Sequence, residues 1–89
     1  MAFVNIHPSL IRFTGNQKTF KLSIENTAHL LTSFRQHCPA LAERILTAKD
    51  ELTPYVNIYL NGKNINHYTT PQVMNDEDKI DVVTALVGG

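Results

Sequence analysis

The feature that most constrains the fold is an alternating segment that runs directly into a tight-turn signal. Tyr55 to Leu60 reads Tyr-Val-Asn-Ile-Tyr-Leu, and Asn61-Gly62 follows without a break. A period of two predicts a half-buried strand whose apolar side is Val56, Ile58 and Leu60. Because Asn and Gly both tolerate positive φ, the pair predicts a hairpin, with a return strand that begins over Lys63 to Ile65.

Three further segments are typical of strands. Phe3 to Ile6 is short and partly β-branched, and Thr19 to Ile24 alternates with a period of two. Thr14-Gly15-Asn16 lies between them and predicts the turn of a hairpin. Lys79 to Ala85 follows the polar turn Asn75 to Asp78 and is the last predicted strand. It carries apolar residues on both faces, which indicates two buried faces or a mixed environment.

One stretch between the second and third strands has helical spacing. Asn26 or Thr27 offers a side-chain oxygen that can cap the first turn. The apolar stripe that follows is Leu30, Leu31, Phe34 and Cys38. Pro39 is expected to end or interrupt this helix. A second, short helical piece is predicted from Leu41, Ala42, Ile45 and Leu46.

The order of elements is therefore strand, strand, helix, strand, short strand, strand. A helix that covers one face of a mixed sheet satisfies the need to bury each apolar face. We therefore predict an α+β, ubiquitin-like β-grasp fold, with four to five strands and one main helix packed on one face. Residues 1–85 are expected to form this domain, and residues 86–89 a flexible C-terminal diglycine tail.

Composition limits the class of protein. The 89 residues fit one domain, and 8 Lys and Arg balance 8 Asp and Glu. Bulk charge thus indicates neither a nucleic-acid partner nor a membrane partner. No apolar run approaches the roughly 18 residues of a membrane span, and the first residues do not resemble a signal peptide. One cysteine, Cys38, cannot form an internal disulfide. We expect a soluble, cytoplasmic protein.

The sequence ends Thr84-Ala85-Leu86-Val87-Gly88-Gly89. Glycine has no Cβ, so a diglycine is thin and flexible. Directly after a hydrophobic strand, it can act as a probe that enters a narrow channel in another protein and presents its carboxylate there. The alternative is that the two glycines are a chance ending or a cloning remnant without a function.

The chain resembles the ThiS/MoaD family of ubiquitin-like sulfur carriers. The segments that carry the resemblance are Tyr55 to Asn61, the acidic turn Asn75 to Asp78, the strand Lys79 to Thr84, and Ala85 to Gly89. Within the family it is most similar to the longer, CysO-type carriers that feed cysteine synthesis. The resemblance is strong from Tyr55 onward and weak before it, and it does not identify the pathway.

The resemblance implies a carrier protein rather than an enzyme. Gly89 would accept the adenylate and then the sulfur, as a thiocarboxylate. Gly88 would give clearance, while Leu86 and Val87 either guide the tail into the partner's channel or finish the packing of the last strand. The chain itself would bind no cofactor and no metal, since ATP and magnesium, and usually a zinc site, belong to the activating enzyme.

The implied partners are also enzymes. They are a ubiquitin-activating-type, MoeB/ThiF-like adenylyltransferase, a sulfurtransferase or other sulfur donor, and a sulfur-accepting synthase, with a cysteine synthase-like enzyme favoured. Thiamin, molybdopterin and siderophore-type thioacids are alternative destinations. Three other functions stay open: a protein modifier joined to lysines through Gly89, the small subunit of molybdopterin synthase, and a β-grasp binding module in which Gly88-Gly89 has no role.

The histidines and the cysteine raise the question of a metal site or a nucleophilic thiol. His7, His29, His37 and His67 are scattered, without the spacing of metal ligands, so we predict no metal site. Cys38 lies on the apolar stripe, where a thiol behaves as a small hydrophobic group rather than a nucleophile. The acidic run Asp76 to Asp78 is interpreted either as a solvated turn or as a surface that steers a basic patch of a partner.

Overall fold

The computed structural model describes residues 2–84, and within them the predicted order of elements is confirmed. The strands are β1 (Ala2–Ile6), β2 (Thr19–Leu22), β3 (Val56–Leu60), β4 (Lys63–Asn64) and β5 (Lys79–Thr84). They form one sheet in the order β2-β1-β5-β3-β4. The β1–β5 pair is parallel and the other pairs are antiparallel, so the sheet is mixed. The predicted α+β, β-grasp architecture is therefore confirmed.

The hairpin of β1 and β2 is present, but its connection is longer than a turn. A 3₁₀ helix spans Pro8–Thr14 before the chain turns at Gly15 and Asn16, which both have positive φ. Pro8 suits the first helical position because its missing N–H would have no partner there. His7 caps the helix, since its side chain accepts from the backbone N–H of Ser9. This helix was not predicted from the sequence.

The helical layer consists of α1 (Leu30–His37) and α2 (Pro39–Ile45). Asn26 caps the preceding 3₁₀ turn, Thr27–His29, by accepting from the backbone N–H of Ala28 at 2.9 Å. Cys38 leaves the helical region, with φ −133° and ψ 75°, because a residue that precedes proline is disfavoured there. The expected interruption at Pro39 and the second helical piece are both confirmed.

A single apolar core lies between the helices and one face of the sheet. Phe34, Leu41, Ile45, Ile58 and Ile80 are fully buried. The buried residues of β2, β3 and β5 form the sheet side of this core; they are Phe20, Leu22, Val56, Ile58, Leu60, Ile80 and Val82. The sheet face opposite the helices carries partly exposed residues, so the two faces of the sheet differ in burial. Of the two environments expected for β5, the described strand has the mixed one.

The β3–β4 turn confirms the strongest local signal in the sequence. Leu60 pairs with Lys63, and the two residues between them have φ values of 51° (Asn61) and 88° (Gly62). The return strand is shorter than predicted. Ile65 begins a 3₁₀ turn, Ile65–His67, which Asn64 caps by accepting from the N–H of Asn66 at 2.9 Å.

We predict that Gly62→Ala lowers the free energy of unfolding by about 1 kcal/mol, because a Cβ disfavours left-handed backbone. A Cβ at Gly62 would meet no atom within 4 Å, so the loss is due to backbone strain and not to a clash. Urea denaturation measures it. Gly62→Asn is the matched control and should lose less, since Asn tolerates positive φ. Equal losses in the two variants would contradict this explanation.

Candidate functional site

The candidate site is the end of the sheet at which β5 finishes. β5 lies between β1 and β3, and its pairing with β3 continues to Thr84, opposite Val56. The backbone N–H of His7 donates to Val82 at 2.9 Å, and the Thr84 hydroxyl donates to the carbonyl of Tyr55 at 3.4 Å. The strand is thus held from both sides as far as Val82 and by β3 as far as Thr84, its last described residue.

The site residues predicted from the sequence follow Thr84 directly. Leu86, Val87, Gly88 and Gly89, like the predicted tail 86–89 and Ala85 of the predicted last strand, lie outside the described residues. Their roles, and the division of the chain at residue 85, therefore stay predictions. The structure gives the position of Thr84, the residue that they follow, and the surface around it.

A cleft of about 140 Å³ opens beside Thr84, where the 3₁₀ helix Pro8–Thr14 and α2 meet the end of the sheet. We call it the arginine cleft. Its lining residues are Ser9, Leu10, Arg12, Phe13, Arg44, Tyr55, Val56 and Thr84. This cleft could not be predicted from the sequence because its residues come from four segments that only the tertiary fold brings together.

Two arginines dominate the charge of the arginine cleft. The Cζ atom of Arg12 lies 4.9 Å from the ring centroid of Phe13, and that of Arg44 lies 4.6 Å from the same centroid. Both side chains are exposed, and within residues 2–84 neither forms an ion pair. Cation–π contact with the ring thus localises both guanidinium groups while their N–H edges stay available.

The two elements that carry these arginines are well anchored. The Thr14 hydroxyl lies 2.8 Å from the carbonyl of Ile11 and 2.7 Å from that of Gln17, which fixes the end of the 3₁₀ helix. In α2, Ala42 and Ile45 lie within two residues of Arg44 and are fully buried. The backbone positions of both arginines are therefore set by packed elements and not by loops.

The face of the sheet opposite the helices is a second surface, which extends from the Thr84 end of β5 towards its Lys79 end. Asn5, Asp81 and Tyr59 lie side by side across β1, β5 and β3, and the Asn5 side chain donates to Asp81 at 3.0 Å. Phe3 is 42% exposed on the same face, with the ammonium of Lys21 5.2 Å from its ring centroid. This face is mixed in character, with polar pairs beside apolar rings.

The acidic turn Asn75 to Asp78 has a structural role. The Asp78 carboxylate accepts from the backbone N–H of Asn75 at 2.6 Å and from the side chain of Asn61 at 2.9 Å. Asn61 in turn accepts from the backbone N–H of Lys79. Asp78 therefore ties the turn before β5 to the β3–β4 hairpin. This explains why an acidic residue at that position suits the fold without any partner.

The histidines occupy separate places. His37 stacks on Phe20 with the ring centroids 5.3 Å apart, and His7 caps the 3₁₀ helix. Within the part of the chain that the structure describes, no three His, Cys, Asp or Glu side chains come close enough to hold a metal ion. Across the same residues, no helix is both long and apolar enough to cross a membrane.

Cys38 is half-buried where α1 gives way to α2, and burial raises the pKa of its thiol. A raised pKa lowers the thiolate fraction at neutral pH, and the thiolate is the nucleophile. The environment thus agrees with the interpretation of Cys38 as a packing residue.

We predict that the folded chain reacts with iodoacetamide at pH 7 more slowly than the urea-unfolded chain, because both the raised pKa and partial burial protect the Cys38 thiol. Intact mass measured over time gives both rates. A small free thiol in the same urea concentrations corrects for the solvent. A folded-state rate equal to or above the unfolded rate would show that Cys38 is activated.

Comparison with solved structures identifies similar folds. The chain is similar to CysO from Mycobacterium tuberculosis, with a TM-score of 0.80 and 21% identity over 97% of this chain and 100% of that one. A chain of the Amycolatopsis orientalis BexX/CysO complex matches with a TM-score of 0.80 and 19% identity over 100% of both.

A third match has a higher identity. Small archaeal modifier protein 1 from Methanosarcina acetivorans is 28% identical, with a TM-score of 0.79 over 99% of this chain and 95% of that one. No protein-family model and no curated protein sequence matches this chain. The solved structures confirm the β-grasp fold and the resemblance to CysO that the sequence predicts.

Proposed function

We propose that this chain is a sulfur carrier protein, whose Gly89 carboxylate is adenylated and converted to a thiocarboxylate. The observation that carries the proposal is the placement of β5. This strand is paired on both sides, reaches the rim of the domain at Thr84, and is followed directly by Ala-Leu-Val-Gly-Gly. A rigid domain followed by a short segment of small and apolar residues suits a carrier that a partner enzyme binds by its domain while its terminus reacts.

The chemistry explains why a partner is needed. A carboxylate resists nucleophilic attack because of its charge and resonance. Attack of the Gly89 carboxylate on the α-phosphorus of ATP releases pyrophosphate and gives an acyl-adenylate. Sulfide can then attack the acyl carbon and release AMP, which leaves the thiocarboxylate. A persulfide donor would instead give an acyl disulfide, which a thiol must cleave. The activating enzyme has to exclude water, since water would hydrolyse the acyl-adenylate.

The partners proposed are a MoeB/ThiF-like adenylyltransferase that uses ATP and magnesium, a sulfurtransferase or other sulfur donor, and a sulfur-accepting synthase, all in the cytoplasm. CysO from Amycolatopsis orientalis occurs in a complex with BexX, which gives a precedent for a protein of this fold bound to another protein. Cysteine synthesis is the favoured destination because CysO is among the similar structures. Under this proposal the chain is a co-substrate and not an enzyme, with Leu86 and Val87 guiding its tail.

A second candidate function is protein modification, in which the Gly89 carboxylate forms an isopeptide bond with a lysine of a target protein. It is favoured by the 28% identity to small archaeal modifier protein 1, the highest of the three matches described. The two candidates share the activation step. They differ in the acceptor, which is sulfur in one case and a lysine amine in the other.

We predict that incubation with ATP, magnesium, the adenylyltransferase and a sulfur donor exchanges one oxygen of the chain for sulfur at the C-terminus, because Gly89 is the group activated. Intact-protein mass spectrometry with C-terminal fragmentation locates the change. A chain that lacks Gly88 and Gly89 is the control and should keep its mass.

An unchanged mass with every adenylyltransferase of the source organism would contradict the proposal. The same incubations in cell extract separate the two candidates. Formation of covalent conjugates in place of the thiocarboxylate would favour the modifier.

We also predict that Gly88→Val or Gly89→Val slows activation about tenfold or more, a cost of about 1.4 kcal/mol, because a β-branched side chain cannot enter a channel built for glycine. Single-turnover adenylation measures the rate. Ala48→Val, on an exposed loop, is the matched control and should react like the parent chain. Thermal unfolding should be the same for all variants. Normal activation of the glycine variants would contradict a narrow channel.

A further inference from the structure

The arginine cleft has an arrangement that the fold does not use. Its two guanidinium groups contact one aromatic ring, and within residues 2–84 no carboxylate neutralises either of them. By contrast, Arg35 is paired with both Glu43 and Asp50, at 3.2 Å and 2.8 Å. We propose that the arginine cleft binds an acidic segment of the adenylyltransferase that receives residues 85–89, an inference that rests on the proposed function.

The chemistry of the two arginines selects carboxylates. A guanidinium group presents parallel N–H donors that match the two oxygens of a carboxylate, and stacking leaves this edge free. Arg12 and Arg44 contact the same ring, so their charges lie within about 10 Å of each other and repel modestly in water. A negative charge near both groups relieves this repulsion.

The rest of the lining favours a protein segment over a small inorganic anion. Leu10, Phe13 and Tyr55 contribute apolar surface, and Tyr55 is 44% exposed. Both arginines are also exposed, so the cleft lacks the enclosed donors that hold a small anion against water. An acidic side chain flanked by apolar residues would match the charge and the apolar wall together.

The position of the arginine cleft identifies the partner. Five residues follow Thr84, and a chain of that length spans at most about 17 Å. Any enzyme that encloses Gly88 and Gly89 must therefore come close to Thr84, which lines the cleft itself. The protein that receives the tail is the one whose surface has to meet Arg12 and Arg44.

The test measures the Kd between this chain and the adenylyltransferase that supports the exchange of oxygen for sulfur in the mass-spectrometry experiment. We expect Arg12→Glu with Arg44→Glu to raise the Kd about tenfold or more at low salt, because like charges would then face each other. The difference should shrink as salt is added. Lys18→Glu with Lys49→Glu is the matched control, since both lysines are exposed, lie outside the cleft and give the same change in net charge.

A second double variant, with neutral side chains, distinguishes a loss of binding from a loss of the fold. Arg12→Gln with Arg44→Gln should raise the Kd in the same direction but less, with an unchanged melting temperature. Wild-type Kd values for both cleft variants, with the parent chain activated normally, would overturn this inference and leave the proposed function standing. Equal weakening by the lysine control would also overturn it, since bulk charge would then be the cause.

Two further results would be decisive. Inorganic phosphate or AMP, titrated while the Arg12 and Arg44 Nε–H signals are followed by NMR, should produce no saturable shift below millimolar concentration. Tight binding of either anion would overturn the assignment of a protein segment. Failure of the parent chain itself to bind or be activated would remove the proposed function, and this inference with it.

Discussion

The placement of β5 in the middle of the sheet is the constraint on which the rest of the structure depends. β5 pairs in parallel with β1 and antiparallel with β3, so the first and last strands of the described chain lie next to each other. A parallel pair needs a crossover, and the helices supply it while covering one face. The sheet is incomplete until Lys79–Thr84 has joined β1 and β3, so much of its pairing is between residues far apart in sequence.

This placement has a consequence at the rim of the domain. A strand at the edge of a sheet has one partner and frays easily, whereas β5 has two neighbours until Val82 and one partner from there to Thr84. The core residues Ile80 and Val82 fix it further. The residues after Thr84 therefore start from a well-defined point, and the groups around that point, including Arg12 and Arg44, have a fixed relation to it.

Much of the fold could be predicted because its signals are local. Alternation in β3 and the Asn61-Gly62 pair defined the hairpin, and Pro39 marked the break between the helices. The 3₁₀ helix Pro8–Thr14 was missed because its seven residues carry too few apolar positions to define a period. The tail 86–89 was also inferred from local sequence, and it stays a prediction because it lies outside the described residues.

The arginine cleft could not be predicted for a different reason. Arg12 and Arg44 lie far apart in sequence, and nothing local marks either of them. Arg12 precedes Phe13 in the sequence, but only the packing of the 3₁₀ helix against α2 brings Arg44 to the same ring. Charge counting would even argue against such a site, since the chain has no net charge. A zero total can still conceal a local excess of positive charge wherever the fold separates the basic residues from the acidic ones.

Under the proposed function, this separation suits a protein that has to visit several enzymes. A tail of a few small and apolar residues offers little area for binding, so the domain must contribute to recognition. Charges at an interface raise association rates and exclude wrong partners, and those that stay hydrated add little to the lifetime of the complex. Because Arg12 and Arg44 are exposed, they favour rapid encounter without a slow release. A carrier needs that balance, since sulfur bound to a carrier that stays with its first enzyme reaches no acceptor.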